Sequence, residues 1–513
     1  QGHSTSGSHE RYKSKERLEW EAEWDCIQKM KTWMIASSIA TDEQIQVMIA
    51  EAKEIAKSEQ KSAWNKHLLS IKADMDVLFS LLAGLESNTN NASGVNQAIS
   101  MLRATIDPVR RDVMKAAKHA LYATAGETSS ERTTLLNWVK QYDQLNDERY
   151  NGNLWSNSSD AVLKAAVIQP EYAADAPLVN GFEIINKCFD EHFAKNDKIF
   201  AFGEDLGKIG DVNQGFAGLQ EKYGESRIFD VGIREATIVG QGIGMAMRGM
   251  RPIAEIQYLD YLLYGLQPIS DDLATLQYRT AGGQKAPVII RTRGHRLEGI
   301  WHTGSPMGMI LHACRGVHVC VPRNMTQAAG MYNLLLNCDE PAIVIECLNG
   351  YRLKEPLPAN ISTFTVPLGV PEILTQGDDI TVVSYGSTLR IVQDACKLLA
   401  ERGVSAEIID VQTLMPFDIY GIIRESVKRT SRVIFIDEDV PGGASAYMMQ
   451  QVFKDESLFR YLDAFPKCLS ARDNRSAYAS DGDYFCKPNE EDIFEAIYSM
   501  MHDVSPKSYP AIF

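Results

Sequence analysis

Residues 230–261 read DVGIREATIVGQGIGMAMRGMRPIAEIQYLDY, and the reading of this stretch decides the fold. Its first half is a run of small and apolar residues that belongs in a core, with Gly240, Gly242 and Gly244 suited to close helix packing. Their spacing is not a dinucleotide fingerprint, because the last glycine arrives too early for G-x-G-x-x-G. The second half carries PIAEIQ, a short apolar strand. A helix feeding a strand with no polar alternation implies a parallel sheet covered on both faces. One carboxylate, Glu235, stands at the head of the helix, and burying it unpaired is costly unless it is hydrogen-bonded or protonated. Tyr258 and Tyr261 follow in the strand-and-loop beyond.

The same texture continues outward. KIFAFGED (198–205), APVIIRTR (286–293), GVHVCVP (316–322) and PAIVIEC (341–347) are apolar runs bounded by turns, and assign 178–365 to one doubly wound domain. DDITVVSYGS, a helix through LRIVQDACKLLAERG, VSAEIIDVQTL, a helix through YGIIRESVKRT, and RVIFIDED repeat the strand–helix–strand unit in 366–513. FTVPLGVPEILTQGDD (364–379) reads as the linker between them. Residues 1–175 hold a polar opening and then helical periodicity without a convincing strand. Thr41 is placed to cap a long helix, ESNTNNASG breaks it, a second helical stretch follows and NLWSNSSD breaks again. The expected fold class is α/β: two doubly wound parallel-sheet domains preceded by a helical extension.

The 513 residues carry a formal charge of −15, which speaks against nucleic acid or an anionic membrane as main partner. It suits a basic protein partner, or simply an acidic solvated surface. Nine cysteines without a Cys-x-x-Cys pair fit a reducing cytoplasm, and no apolar run is long enough to span a bilayer. The opening QGHSTSGSHERYKS lacks an initiator Met and a signal pattern, and reads as a start partway into a longer chain.

Other chemistry is sparse. No G-x-S-x-G elbow occurs. Ser387 of YGSTLR reads as a helix cap rather than a phosphate-binding turn. Asp481 and Asp483 of SDGDYF, read as a polar loop, lack a third ligand at good spacing, so no metal site is assigned. RTRGHRLEGIWHTGSPMG carries His295 and His302 beyond the carboxyl end of a strand, where ligands bind open parallel sheets. His3 and His9 lie in the opening loop. Taken alone, each has an ordinary structural explanation.

Together, FGEDLG, GLQEKYGESRIFDVGIREATIVGQGIGMAMRGMRPIAEIQYLDY, AGGQKAPVIIR, DVQTLMPFD and SVKRTSRVIFIDED resemble, in order and spacing, the beta subunit of the thiamine-diphosphate-dependent first component of 2-oxo acid dehydrogenase complexes. GHSTSGSHERYKS and DCIQKMKTWMI resemble the end of the alpha subunit, so the chain looks like an alpha–beta fusion lacking most of its alpha half. The resemblance implies a pyrimidine-binding domain followed by a transketolase C-terminal-like domain. It also implies that Glu235 exchanges a proton with a ring nitrogen of the cofactor's aminopyrimidine, which activates the thiazolium carbon. Tyr261 is expected against the pyrimidine, with Tyr258 beside it and Glu204 in support. His302 matches the family's active-site histidine, with His295 left open as a competitor, and His3 with Ser4 matches a histidine–serine pair at the site's mouth. Mg²⁺ and the diphosphate are expected on the missing alpha part, and a potassium ion near NCDEP follows by resemblance alone. The implied reaction is decarboxylation of a 2-oxo acid, branched-chain before pyruvate, with acyl transfer to the lipoyllysine of an acyltransferase partner, by a homodimer. Ketol transfer of the transketolase or deoxyxylulose-phosphate synthase type, and a cofactor-free scaffold, stay open as alternatives.

Overall fold

The computed structural model describes residues 9–294, 301–302 and 304–512. The chain divides into two compact units, 1–147 and 148–513.

The first unit is helical. Thr41 caps the long helix Asp42–Ser87 through a reciprocal box with Gln44, as expected. At 46 residues this helix runs about 70 Å. Residues 51–60, EAKEIAKSEQ, are exposed all round, whereas Ile71, Leu78, Leu82 and Leu85 enter a core. The expected second helical stretch is three helices, Ala92–Ala104, Arg110–Ala123 and Ser130–Asn151. Thr105 leaves the first of them in extended backbone, and Gly126, at φ +82°, turns the chain after the second. Val95, Ile99, Leu102, Val113, Ala117, Leu135 and Val139 close the core.

The second unit contains the strands β1 (Leu178–Asn180), β2 (Ile199–Gly203), β3 (Ile228–Asp230), β4 (Arg251–Glu255), β5 (Ile289–Gly294), β6 (His318–Cys320), β7 (Ala342–Cys347), β8 (Lys354–Pro356), β9 (Glu372–Thr375), β10 (Ile380–Ser384), β11 (Ala406–Asp410), β12 (Thr413–Met415), β13 (Val433–Ile436) and β14 (Lys467–Leu469). A seven-stranded sheet runs β12-β6-β7-β5-β4-β2-β3, and a five-stranded sheet runs β14-β13-β10-β11-β9. Both are parallel except at one edge: β12 pairs antiparallel with β6, and β9 with β11. β1 and β8 form a separate antiparallel ribbon.

Two expectations need correction here. The segment taken as a linker contains β9, an edge strand of the second sheet. VSAEIIDVQTL is two strands, and the second, β12, leaves its own sheet to extend the first. This exchange welds the sheets. One continuous apolar core holds Phe202, Ile238, Val239 and Met307 from the first together with Val383, Ile409, Val433 and Phe435 from the second. A second core, with Phe189, Phe216 and Tyr332, covers the opposite face of the first sheet.

Smaller readings also shift. Gly242 is required, since a Cβ there would lie 2.8 Å from Val288 Cγ2, but Gly240 and Gly244 face open space. Ser387 sits at the start of the helix Thr388–Glu401 but makes no side-chain cap bond. SDGDYF is part of a helix, Ala479–Cys486, not a loop.

Candidate active site

Four neighbouring parallel strands, in the order β5-β4-β2-β3, each deliver a candidate residue just past the carboxyl end. Glu204 follows β2, Glu235 opens the helix after β3, Tyr258 and Tyr261 follow β4, and His302 follows β5. Residues far apart in sequence meet because adjacent strand ends form one crevice.

Glu235 is the first residue of the helix Glu235–Met247 and is only 8% exposed. Among the described residues its carboxylate has no hydrogen-bond partner. The helix N-terminus favours a negative charge there. The turn Leu259–Gly265 packs across this helix start: a Cβ on Gly265 would lie 3.2 Å from Val239 Cγ2 and 3.5 Å from the Glu235 carbonyl oxygen. Partial burial, then Asp205 and Glu235, pushes the Glu204 carboxyl above its usual range. Partial burial, then Tyr258, Glu204, Asp260 and Glu235, pushes the Tyr261 phenol up. Glu204 and Tyr261 thus both feel the charge of Glu235 from neighbouring strand ends. Tyr261 Oη and His302 Nε2 share a hydrogen bond of 2.9 Å. The Tyr258 ring meets the His302 ring edge-on at 4.5 Å, and Tyr258 meets Tyr261 at 5.8 Å. The loop behind Glu204 is fixed by Asp230, whose carboxylate accepts the Gly207 N–H at 2.7 Å.

Below the crevice lies a buried ion network absent from the sequence expectations. Arg291 and Arg293 of β5 are fully buried. Arg291 donates from Nε and Nη2 to Glu346 at 2.9 and 3.0 Å, from Nη1 to Asp211 at 2.7 Å, and also to Glu255. Arg293 lies 2.8 Å from Glu255 and donates to the Gln257 carbonyl at 3.2 Å, just ahead of Tyr258. Burial raises the Glu255 carboxyl against the pull of both guanidinium groups. The missed signal was available: two arginines in a strand covered on both faces demand carboxylate partners.

Asp260 is the second omission. It is 6% exposed, accepts the Gly304 N–H at 2.9 Å, and takes Arg475 Nη1 at 3.0 Å. Its carboxyl is pushed up by burial, partly offset by that N–H, Arg475 and His302. A charged residue inside YLDY invited the same question as Glu235; Arg475 carries no sequence signal.

His3, Ser4 and His295 lie outside the described residues. Among the described residues no group of three or more His, Cys, Asp or Glu is arranged to hold a metal ion. The carboxylates of NCDEP are engaged by protein groups: Asp339 with Lys285 and Ser158, and Glu340 with the N–H groups of Ser156 and Val162. Among the described residues no helix is long and apolar enough to cross a membrane.

Comparison with known proteins gives this crevice a lineage. Residues 179–353 match the transketolase pyrimidine-binding domain and 369–493 the transketolase C-terminal domain. The chain is 33% identical over 319 residues to the pyruvate dehydrogenase E1 component subunit beta of Acholeplasma laidlawii, covering 62% of this chain and 96% of that one. It is 31% identical to the 2-oxoisovalerate dehydrogenase subunit beta of Bacillus subtilis, covering 57% and 88%. It is 34% identical to the corresponding mitochondrial subunit of Dictyostelium discoideum, covering 58% and 80%. A solved structure, a split-gene transketolase described as an inactive beta4 tetramer, shares the fold at TM-score 0.51 and 20% identity, over 63% of this chain and 98% of that one. Sheet order, paired domains and relatives agree: the chain belongs to the beta-type chains of the thiamine-diphosphate-dependent E1 component of 2-oxo acid dehydrogenases.

Proposed function

We propose that this chain supplies the aminopyrimidine-activating half of a 2-oxo acid dehydrogenase that passes an acyl group to lipoyllysine. One observation carries the reading: Glu235 is nine-tenths buried at a helix start, without a protein hydrogen-bond partner among the described residues, beneath the turn that carries Tyr261. A carboxyl left unpartnered by protein at a mostly buried helix start suits a ligand nitrogen, and an aminopyrimidine offers one. Thiamine diphosphate, when bound, would supply a carbon nucleophile and an electron sink for the bonding pair left behind as carbon dioxide departs. Glu235 then holds and returns a proton at its carboxylate. Tyr261 gives the heterocycle a flat wall, and Tyr258 restricts where His302 lies. His302, through Nε2 and its Tyr261 partner, moves protons on the substrate side. Glu204 adds a second carboxyl to the same strand-end cluster, its own carboxyl pushed up by partial burial, then Asp205 and Glu235. His3 would approach from the alpha-like side.

The residues here fit the aminopyrimidine end only. The Mg²⁺ and diphosphate end belongs to alpha-like residues, and the working form is a homodimer engaging the acyltransferase component of its complex. The test is to supply the full protein with thiamine diphosphate, Mg²⁺, lipoamide and either a branched-chain 2-oxo acid or pyruvate. The expected result is carbon dioxide release matched by lipoamide reduction, with the branched-chain acid preferred. Ketol transfer between sugars without lipoamide dependence, or no decarboxylation of either acid, would overturn the reading.

A further inference from the structure

The segment leaving His302 is held at two points, and both involve the second sheet domain. The first is Asp260, whose Oδ2 accepts the Gly304 N–H at 2.9 Å, two residues beyond His302. A Cβ on Gly304 would lie 2.1 Å from Asp260 Oδ1, so the backbone rests directly on the carboxylate and only glycine fits. The other oxygen, Oδ1, takes Arg475 Nη1 at 3.0 Å, from the loop after β14. The second point is Asp439, just past β13, whose Oδ2 accepts the Gly308 N–H at 2.8 Å. A Cβ on Gly443 would lie 2.0 Å from the same oxygen, so this contact is also made at backbone range. A cavity of 170 Å³ separates the two points, lined among others by Asp260, Gly304, Asp439, Arg475 and the nearly fully buried Lys487.

Asp260 also immediately precedes Tyr261, whose hydroxyl meets His302 Nε2. One carboxylate therefore spans the tyrosine turn, the histidine segment and the second domain. A bare carboxylate this buried needs a cation, and among the described residues Arg475 pairs with it. Arg475 is itself half exposed, so its removal changes the link without opening a core.

We propose that Asp260 and Arg475 form an interdomain latch that sets the position of His302, making Arg475 a positioning residue for the reaction. The inference rests on the reading that His302 acts in the reaction. Misplacing a reacting group by about 1 Å costs up to roughly a hundredfold in rate, so a loosened latch is expected to lower kcat by about tenfold.

The test uses the full protein with histidine labelled at ¹³Cε1, and the variants Arg475→Met, Arg475→Lys, His302→Ala and the double variant Arg475→Met/His302→Ala. Arg472→Met, on the same loop with an exposed side chain, serves as control. The His302 resonance is assigned by its loss in His302→Ala. It is expected to move in Arg475→Met, to return toward its original position in Arg475→Lys, and to stay fixed in Arg472→Met. Turnover is expected to fall about tenfold in Arg475→Met with KM little changed, and not to fall further when His302 is already alanine. An unmoved resonance, or an equal fold-loss in the His302→Ala background, would overturn the latch. Full turnover in His302→Ala would instead overturn the role of His302, while the resonance still reports whether the latch holds the ring.

Discussion

Arg291→Met is the perturbation whose magnitude follows most directly from the structure. The guanidinium is fully buried and touches three buried carboxylates, those of Glu346, Asp211 and Glu255. Methionine keeps most of the volume but leaves Arg293 as the one remaining cation of that network among the described residues. Breaking a buried ion pair from one side costs about 3–5 kcal/mol. In a domain of about 150–250 residues each kcal/mol lowers Tm by about 2–4 °C, so the expected fall is about 6–20 °C. The sign with pH follows from Asp211. Burial works to raise its carboxyl, but Arg291 and then Arg293 outweigh burial and hold it below the usual range. In the native protein it therefore contributes stability above its unfolded value of about 3.9, lost as pH falls through the folded value. Without Arg291 the desolvation dominates, the folded state binds protons more tightly than the unfolded one, and stability falls as pH rises. Calorimetry should thus find a larger deficit at pH 8 than at pH 5. A Tm within about 2 °C of the unmodified protein at pH 8, or a deficit growing on acidification, would refute the reasoning.

Three further substitutions probe the helix that carries Glu235 and the aromatic wall beside it. Gly242→Ala drives a methyl against Val288 Cγ2 and Ala254 Cβ and should destabilise by about 1–3 kcal/mol, whereas Gly240→Ala on the open face of the same helix should stabilise by about 0.5–1 kcal/mol; denaturant titration separates them. Tyr261→Phe keeps the aromatic wall but removes the bond to His302 Nε2. It should lower kcat about 3- to 10-fold without affecting the denaturation midpoint, and steady-state kinetics on the full protein reads the effect.

The sheet domains were legible because their central strands are continuous apolar runs, which admit few alternatives to a parallel sheet covered on both faces. The edges were not. β9 alternates intermediate and exposed residues within a segment rich in proline and glycine, and β12 is three residues whose partner, β6, lies almost a hundred positions earlier. Such strands owe their state to tertiary neighbours rather than to local preference. In the site, Glu235 stood out as a carboxylate at the head of an apolar run, and the tyrosines and His302 as residues past strand ends. Asp260 and the β5 arginines met the same criterion of charge within buried sequence, but their partners come from distant loops and strands. Arg475 lies in a polar loop where one arginine looks like any other, and only the fold gives it a neighbour.

At the centre of the proposed chemistry is the Glu235 carboxyl, serving as a proton-exchanging partner for a bound heterocycle. Glu235→Gln keeps the size and a hydrogen-bonding group but removes the exchangeable acid, so turnover of the full protein should drop about 10²- to 10⁴-fold while thiamine diphosphate still binds by calorimetry. Turnover within a few-fold of the unmodified protein, at equal cofactor occupancy, would contradict it.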